Sequence, residues 1–145
     1  MAENLLIVHG GGPTAVLNAS LYGAVMEAKE SGKLQHIYGA DNGTGGFLEE
    51  KLIELEKIPQ EKLDLLLQTP GTAIGTSRDP IWQEDYEKLA DIAEKRQIKY
   101  ILFNGGNGTM DTCGKLHETC VRRNLDVRVM GIPKTTDNDI AVTDH

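Results

Sequence analysis

A doubly wound α/β fold, a parallel sheet with helices on both faces in three αβα layers, is predicted for this 145-residue chain by three observations. Short apolar runs alternate with stretches of helical spacing along the chain. The runs are continuous rather than alternating, as in strands buried on both faces. Glycine-rich turns follow several of them, at the strand ends where open α/β sheets bind ligands.

The elements follow in order. Leu5 to His9 is an apolar run ending in Gly10-Gly11-Gly12, and Thr14 through Lys29 then carries Val16, Leu17, Leu21, Val25 and Ala28 at helical spacing. His36 to Gly39 reads as a second short strand. The segment Asp41 to Gly46 that follows is too glycine-rich to read as regular structure. Pro59 to Gln68 reads as a short helix, with Pro59 near its start where a missing amide costs nothing. Thr69 to Pro80 is a long loop of small residues, of a length that tends to be functional or disordered, and its one arginine, Arg78, favours function. Glu84 to Arg96 reads as a charged amphipathic helix, Tyr100 to Phe103 as a buried strand, Met110 to Arg122 as a helix and Val127 to Ile132 as a final strand.

Composition bounds the function. With 15 Lys+Arg against 22 Asp+Glu the net charge is -7, and no basic cluster stands out, which argues against a nucleic-acid partner. The run Leu5 to Val8 is too short for a signal peptide or a membrane span, so a cytoplasmic protein is expected. Cys113 and Cys120 lie seven residues apart on one predicted helix, sharing a face but too far apart for a disulfide. They are expected to be reduced, half-buried packing residues. His117 between them closes no metal-ligand set.

Two loops carry the chemistry. Gly105-Gly106-Asn107-Gly108-Thr109 follows a strand, its glycines allow close approach of phosphates, and Asn107 offers an amide where a carboxylate would bind magnesium. Pro133-Lys134-Thr135-Thr136-Asp137-Asn138-Asp139 follows the next strand and supplies carboxylates, a lysine and hydroxyls. A carboxylate such as Asp137 can accept a proton from an attacking hydroxyl, and Lys134 can keep it ionised or neutralise a transferred phosphoryl group. The bland alternative is an Asx-turn with surface charges. Gly10-Gly11-Gly12-Pro13-Thr14 can likewise be a plain βα turn or an anion site at a helix start. Arg78 is either a solvated loop arginine or a fork for phosphate oxygens.

Taken together, Gly10 to Thr14 with Asn18 in the next helix, Gly75-Thr76-Ser77-Arg78, Gly105 to Thr109 and Pro133 to Asp139 resemble the amino-terminal part of the phosphofructokinase family, in order and spacing, along essentially the whole chain. The resemblance implies that residues 1–145 form the donor-binding domain of a longer enzyme whose sugar-binding region is absent here. It implies that Gly12, Arg78 and Gly106, Asn107, Gly108 and Thr109 contact the phosphoryl donor, with Thr135 and Asp137 on fructose 6-phosphate. Asp137 would be the base, Asp139 its support, and Lys134 and Arg78 the stabilising charges. Mg²⁺ would be the cofactor, held in part at position 107, where the family has Asp and this chain has Asn. Thr136 also stands where the family usually has an apolar residue.

The donor is ATP or pyrophosphate. The family's pyrophosphate-dependent forms carry an Asp where this chain has Gly108, which points to ATP; Lys134 is common among pyrophosphate enzymes and occurs in some ATP-dependent ones. A homo-oligomer is implied for the full-length protein, and an isolated chain of this length is expected to be inactive. A non-catalytic nucleotide- or phosphate-binding protein of the same fold is the alternative. The NAD and lipid kinases share a Gly-Gly-Asp-Gly-Thr loop but lack the second motif, and the fold alone does not decide.

Overall fold

The computed structural model describes residues 3–10, 15–68, 72–76 and 81–133. Among them are five strands, β1 (Asn4–His9), β2 (His36–Ala40), β3 (Leu52–Glu54), β4 (Ile98–Gly105) and β5 (Arg128–Pro133). The helices are α1 (Ala15–Ser31), α2 (Gly43–Leu48), α3 (Gln60–Asp64), α4 (Gln83–Lys95) and α5 (Asn107–Arg122). The strands form one sheet in the order β3-β2-β1-β4-β5.

β1 lies at the centre, parallel to β2 on one side and β4 on the other. It is buried along its whole length because both of its faces are apolar. Leu6 and Val8 point to one side, where they meet Ile101 and Phe103 of β4, Leu89, Ala90 and Ala93 of α4, and Cys113, Leu116 and Cys120 of α5. Leu5 and Ile7 point to the other, against Leu21, Val25 and Ala28 of α1 with Ile37, Leu63 and Ile74. Two cores on opposite faces of one sheet make the three-layer arrangement expected from the sequence. Each fully buried Leu, Ile or Val contributes about 1.5–3 kcal/mol.

Three details differ from the sequence reading. The sheet is not wholly parallel, because β3 pairs with β2 antiparallel at the edge; at three residues it is too short to display a period. The glycine-rich segment after β2 is helical, not irregular. Asn42 and Gly43 take left-handed backbone angles, φ 67° and 66°, and the turn they make launches α2, whose Phe47 is fully buried. Gly46 is required there, since a β-carbon would run into the Asp41 carbonyl oxygen. Finally, α5 starts at Asn107 rather than Met110, so that the second glycine loop is itself the first turn of a helix.

The 59–68 segment divides into α3 and a 3-10 turn over Leu65–Gln68. Pro59 caps it, its carbonyl accepting the amides of Lys62 and Leu63 at 3.0 and 3.1 Å. Cys113 and Cys120 are free thiols, more buried than expected, and burial pushes both thiol pKa values up, which keeps them protonated and inert. Across the α4–α5 contact Arg123 bonds Asp91 at 2.7 Å and Arg122 pairs with Glu87. These exposed pairs add little to stability.

Candidate phosphate-binding edge

Parallel pairing brings the carboxyl ends of β1, β4 and β5 to one edge. His9 stands opposite Asn104 and Gly105 opposite Pro133, and the Gly10 amide donates to the Asn104 carbonyl at 3.0 Å. The two glycine segments therefore leave the sheet side by side. β5 ends at this edge with Pro133, the last of the described residues.

Thr109 joins the two segments. Its side chain is nearly buried, at 9 % exposure, and fills the space where a β-carbon on Gly10 or Gly105 would sit. A β-carbon on Gly105 would lie 2.5 Å from both the Thr109 hydroxyl and the Gly10 carbonyl oxygen. The Thr109 side chain leaves no room for a β-carbon on Gly10, and at Gly105 that side chain and the Gly10 backbone together leave none. The Thr109 side chain belongs to the packing, and what it can offer a ligand is its backbone amide.

Gly108 is different. It is exposed, and nothing lies within 4 Å of where its β-carbon would project. Packing does not demand glycine there. The first intrahelical bond of this turn runs from the Met110 amide to the Gly106 carbonyl at 3.0 Å, so helix geometry leaves the preceding amides without intrahelical acceptors. No side chain caps the helix and its first turn holds no acidic residue. The positive end of a 16-residue helix and its amides face the edge, a suitable cradle for an anion.

Beneath the loops lies a buried polar group of residues that the sequence reading missed, His9 having passed as the end of an apolar run. His9 and Asn104 are both fully buried. The Asn104 amide nitrogen lies 3.1 Å from the Leu17 carbonyl oxygen and 3.3 Å from His9 Nε2. A carbonyl can only accept, which fixes the orientation of the Asn104 amide. Nε2 must then accept as well, and the His9 proton sits on Nδ1, from which it is donated to Thr72 Oγ1 at 2.6 Å. Burial lowers the His9 pKa to about 4, so the ring is neutral near pH 7.

Thr72 belongs to the loop that continues to Arg78. The Ala73 amide donates to Asn18 Oδ1 at 2.7 Å, the Asn42 amide donates to the Ile74 carbonyl at 2.8 Å, and Ile74 is buried in the core. Gly75 has φ 76° and packs against Asn42. The 72–76 segment is therefore held to β1, α1 and the start of α2.

Of the residues expected at the site, Gly106, Asn107, Gly108 and Thr109 stand together at this edge. Gly12, Arg78, Lys134, Thr135, Asp137 and Asp139 lie outside the described residues. The described residues do not fit a divalent cation at position 107, since the neutral amide of Asn107 has no carboxylate beside it in the turn. One trio of metal-ligand type, His36, Glu54 and Glu56, occurs among the described residues, at the opposite edge of the sheet. Two of its members already pair, His36 Nδ1 lying 2.8 Å from Glu56, and the third, Glu54, pairs with Lys57 at 2.5 Å. Among the described residues no helix is long and apolar enough to cross a membrane.

Comparison with known proteins bears on the chain as a whole. The phosphofructokinase family profile matches residues 4–145. The chain is 32 % identical over 141 residues to the pyrophosphate–fructose 6-phosphate 1-phosphotransferase of Rhodospirillum rubrum, covering 97 % of this chain and 35 % of that protein. It is 35 % identical over 138 residues to ATP-dependent 6-phosphofructokinase 7 of Arabidopsis thaliana, covering 95 % and 27 %. The crystal structure of the pyrophosphate-dependent phosphofructokinase of Nitrosospira multiformis superimposes with a TM-score of 0.91 at 34 % identity, covering 99 % of this chain and 36 % of that one. The chain thus spans about a third of the length of the relatives it matches.

Proposed function

The chain belongs to the phosphofructokinase family, and from that premise we propose that it is the donor-binding domain of a longer enzyme that phosphorylates fructose 6-phosphate. The observation that carries the reading is the pair of glycine strand ends packed together around Thr109, with the α5 amides facing the edge where the 134–139 segment begins.

In the proposed reaction the 1-hydroxyl of fructose 6-phosphate attacks the terminal phosphoryl group of the donor in line. Asp137 takes the hydroxyl proton, the bond from phosphorus to the bridging oxygen breaks, and fructose 1,6-bisphosphate leaves with ADP or phosphate as the other product. Gly12 and the backbone of Gly106 to Thr109 hold the donor, Arg78 and Lys134 balance charge on the transferred oxygens, Asp139 supports the base, and Thr135 contacts the sugar phosphate. A sugar-binding region outside this chain completes the site. The expected divalent ion is Mg²⁺, and it takes no assigned step, because Asn107 is a poor ligand for a hard cation.

ATP is the proposed donor. Sequence identity does not separate the two donors, being 32 % to a pyrophosphate enzyme and 35 % to an ATP enzyme. The open space at Gly108 favours the bulkier one. The full-length protein is proposed to be a cytoplasmic homo-oligomer. The test is an assay of the full-length protein with fructose 6-phosphate and each donor in turn, alongside Asp137→Asn. Turnover should fall at least about a hundredfold in the variant with donor affinity nearly intact; lost affinity with turnover spared would refute these roles. A second reading, a phosphate- or nucleotide-binding protein without turnover, is favoured by Asn107 alone, and donor binding with no transfer from either donor would support it.

A further inference from the structure

The buried ring of His9 contacts three parts of the edge that are far apart in sequence. It terminates β1 just before the first glycine segment, accepts from Asn104 just before the second, and donates to Thr72 in the loop that leads to Arg78. Only one tautomer satisfies all three neighbours, because the Leu17 carbonyl fixes Asn104 and Asn104 fixes Nε2. The ring is fully buried, so each of these bonds is made in a setting where leaving it unmade is costly. An apolar residue of similar size would fill the space without reaching the loop.

We propose that His9 is a positioning residue that ties the 72–76 loop to the two glycine strand ends, setting where that loop stands relative to the amides of the α5 turn. Its role rests on the reading of the edge as a phosphoryl-donor site. The donor anion would sit between the amides of the α5 turn and the 72–76 loop. The Nδ1–H···Oγ1 bond at 2.6 Å is the link that holds one side to the other. The second tie on the loop, Ala73 to Asn18 at 2.7 Å, runs to α1 and does not reach the glycine ends.

The test uses the full-length protein and substitutions at Thr72, whose side chain is only partly buried and whose loss does not open the core. Thr72→Val keeps the shape and removes the acceptor; Thr72→Ser keeps the acceptor. Thr72→Val should weaken equilibrium binding of ATP and of pyrophosphate about tenfold, leave the fructose 6-phosphate KM unchanged and speed hydrogen exchange at the Ala73 amide. Thr72→Ser should restore all three. In a His9→Leu background Thr72→Val should have no further effect, and if that background does not fold the Thr72 pair decides alone. Unchanged donor binding with unchanged Ala73 exchange overturns the proposal, as does a loss of sugar affinity equal to the loss of donor affinity. Should the parent protein transfer no phosphoryl group, the function proposed above fails, while donor binding and amide exchange in the Thr72 variants still decide whether His9 sets the loop.

Discussion

Two glycine-rich segments leave neighbouring parts of the same sheet edge, and they use glycine for different reasons. After β2, Asn42 and Gly43 turn left-handed, α2 follows, and Gly46 presses onto the Asp41 carbonyl over the buried ring of Phe47. After β4, Gly105 likewise admits a close backbone, but three residues on Gly108 faces open space, and the layer underneath is the polar pair His9 and Asn104. A glycine whose missing β-carbon would strike backbone is there for packing. At Gly108 packing demands no glycine, as at Gly23 and Gly114; what sets Gly108 apart is its place in the first turn of α5, where the helix amides face the sheet edge.

The largest expected effect breaks the first segment. Gly46→Ala should cost more than about 3 kcal/mol, since the Asp41 backbone cannot move aside as a flexible side chain would; urea unfolding measures it, and a loss below about 1 kcal/mol would mean that α2 adjusts freely.

Next comes acid, which should act on the second segment through His9. The His9 pKa is about 4 in the folded protein, against 6.5 for a histidine in water. The unfolded chain therefore takes up a proton that the folded one refuses. Stability from this group is whole above pH 6.5 and is lost as pH falls from 6.5 to 4, by about 3 kcal/mol in total. Unfolding measured at several pH values should show that slope, flattened in His9→Gln; an equal slope in the variant would assign the acid loss to other groups.

A smaller effect separates the two kinds of glycine directly. Gly108→Ala should raise stability by about 0.5–1 kcal/mol, the ordinary gain in a helix, while weakening donor binding; a stability gain with binding unchanged would return Gly108 to mere loop chemistry. The smallest is Asn107→Asp. A carboxylate in the first turn of α5 should add about 0.3–1 kcal/mol through the helix dipole and lower the Mg²⁺ concentration needed for half-maximal activity of the full-length protein. An unchanged metal requirement would remove Asn107 as the weak point.

Much of this was legible beforehand. The strands β1, β4 and β5 and the helices α1, α4 and α5 show in the sequence within a few residues, because burial on both faces of a central strand requires apolar residues with no alternation, and a helix packed on a sheet requires apolar residues every three or four positions. β3 and α2 were not legible. Leu52–Glu54 is too short to carry a period, and α2 holds three glycines among its six residues, Gly43, Gly45 and Gly46, against local propensity, its place decided by Phe47 and by contact with Asp41. At the site, Gly105 to Thr109 was visible as a motif, but its assignment as the first turn of α5 was not.

The sequence by itself determined the layer order and the family, since both depend on patterns of local residues and on motifs contiguous in the chain. Only the tertiary structure decided which glycines are obligatory, that the Thr109 side chain packs between two backbones, and that His9, Asn104 and Thr72 meet. Those three lie 95 and 63 residues apart at their contacts. No periodicity encodes such a meeting; it follows from parallel strand register, which places His9 beside Asn104, and from a loop drawn down onto the sheet by the burial of Ile74.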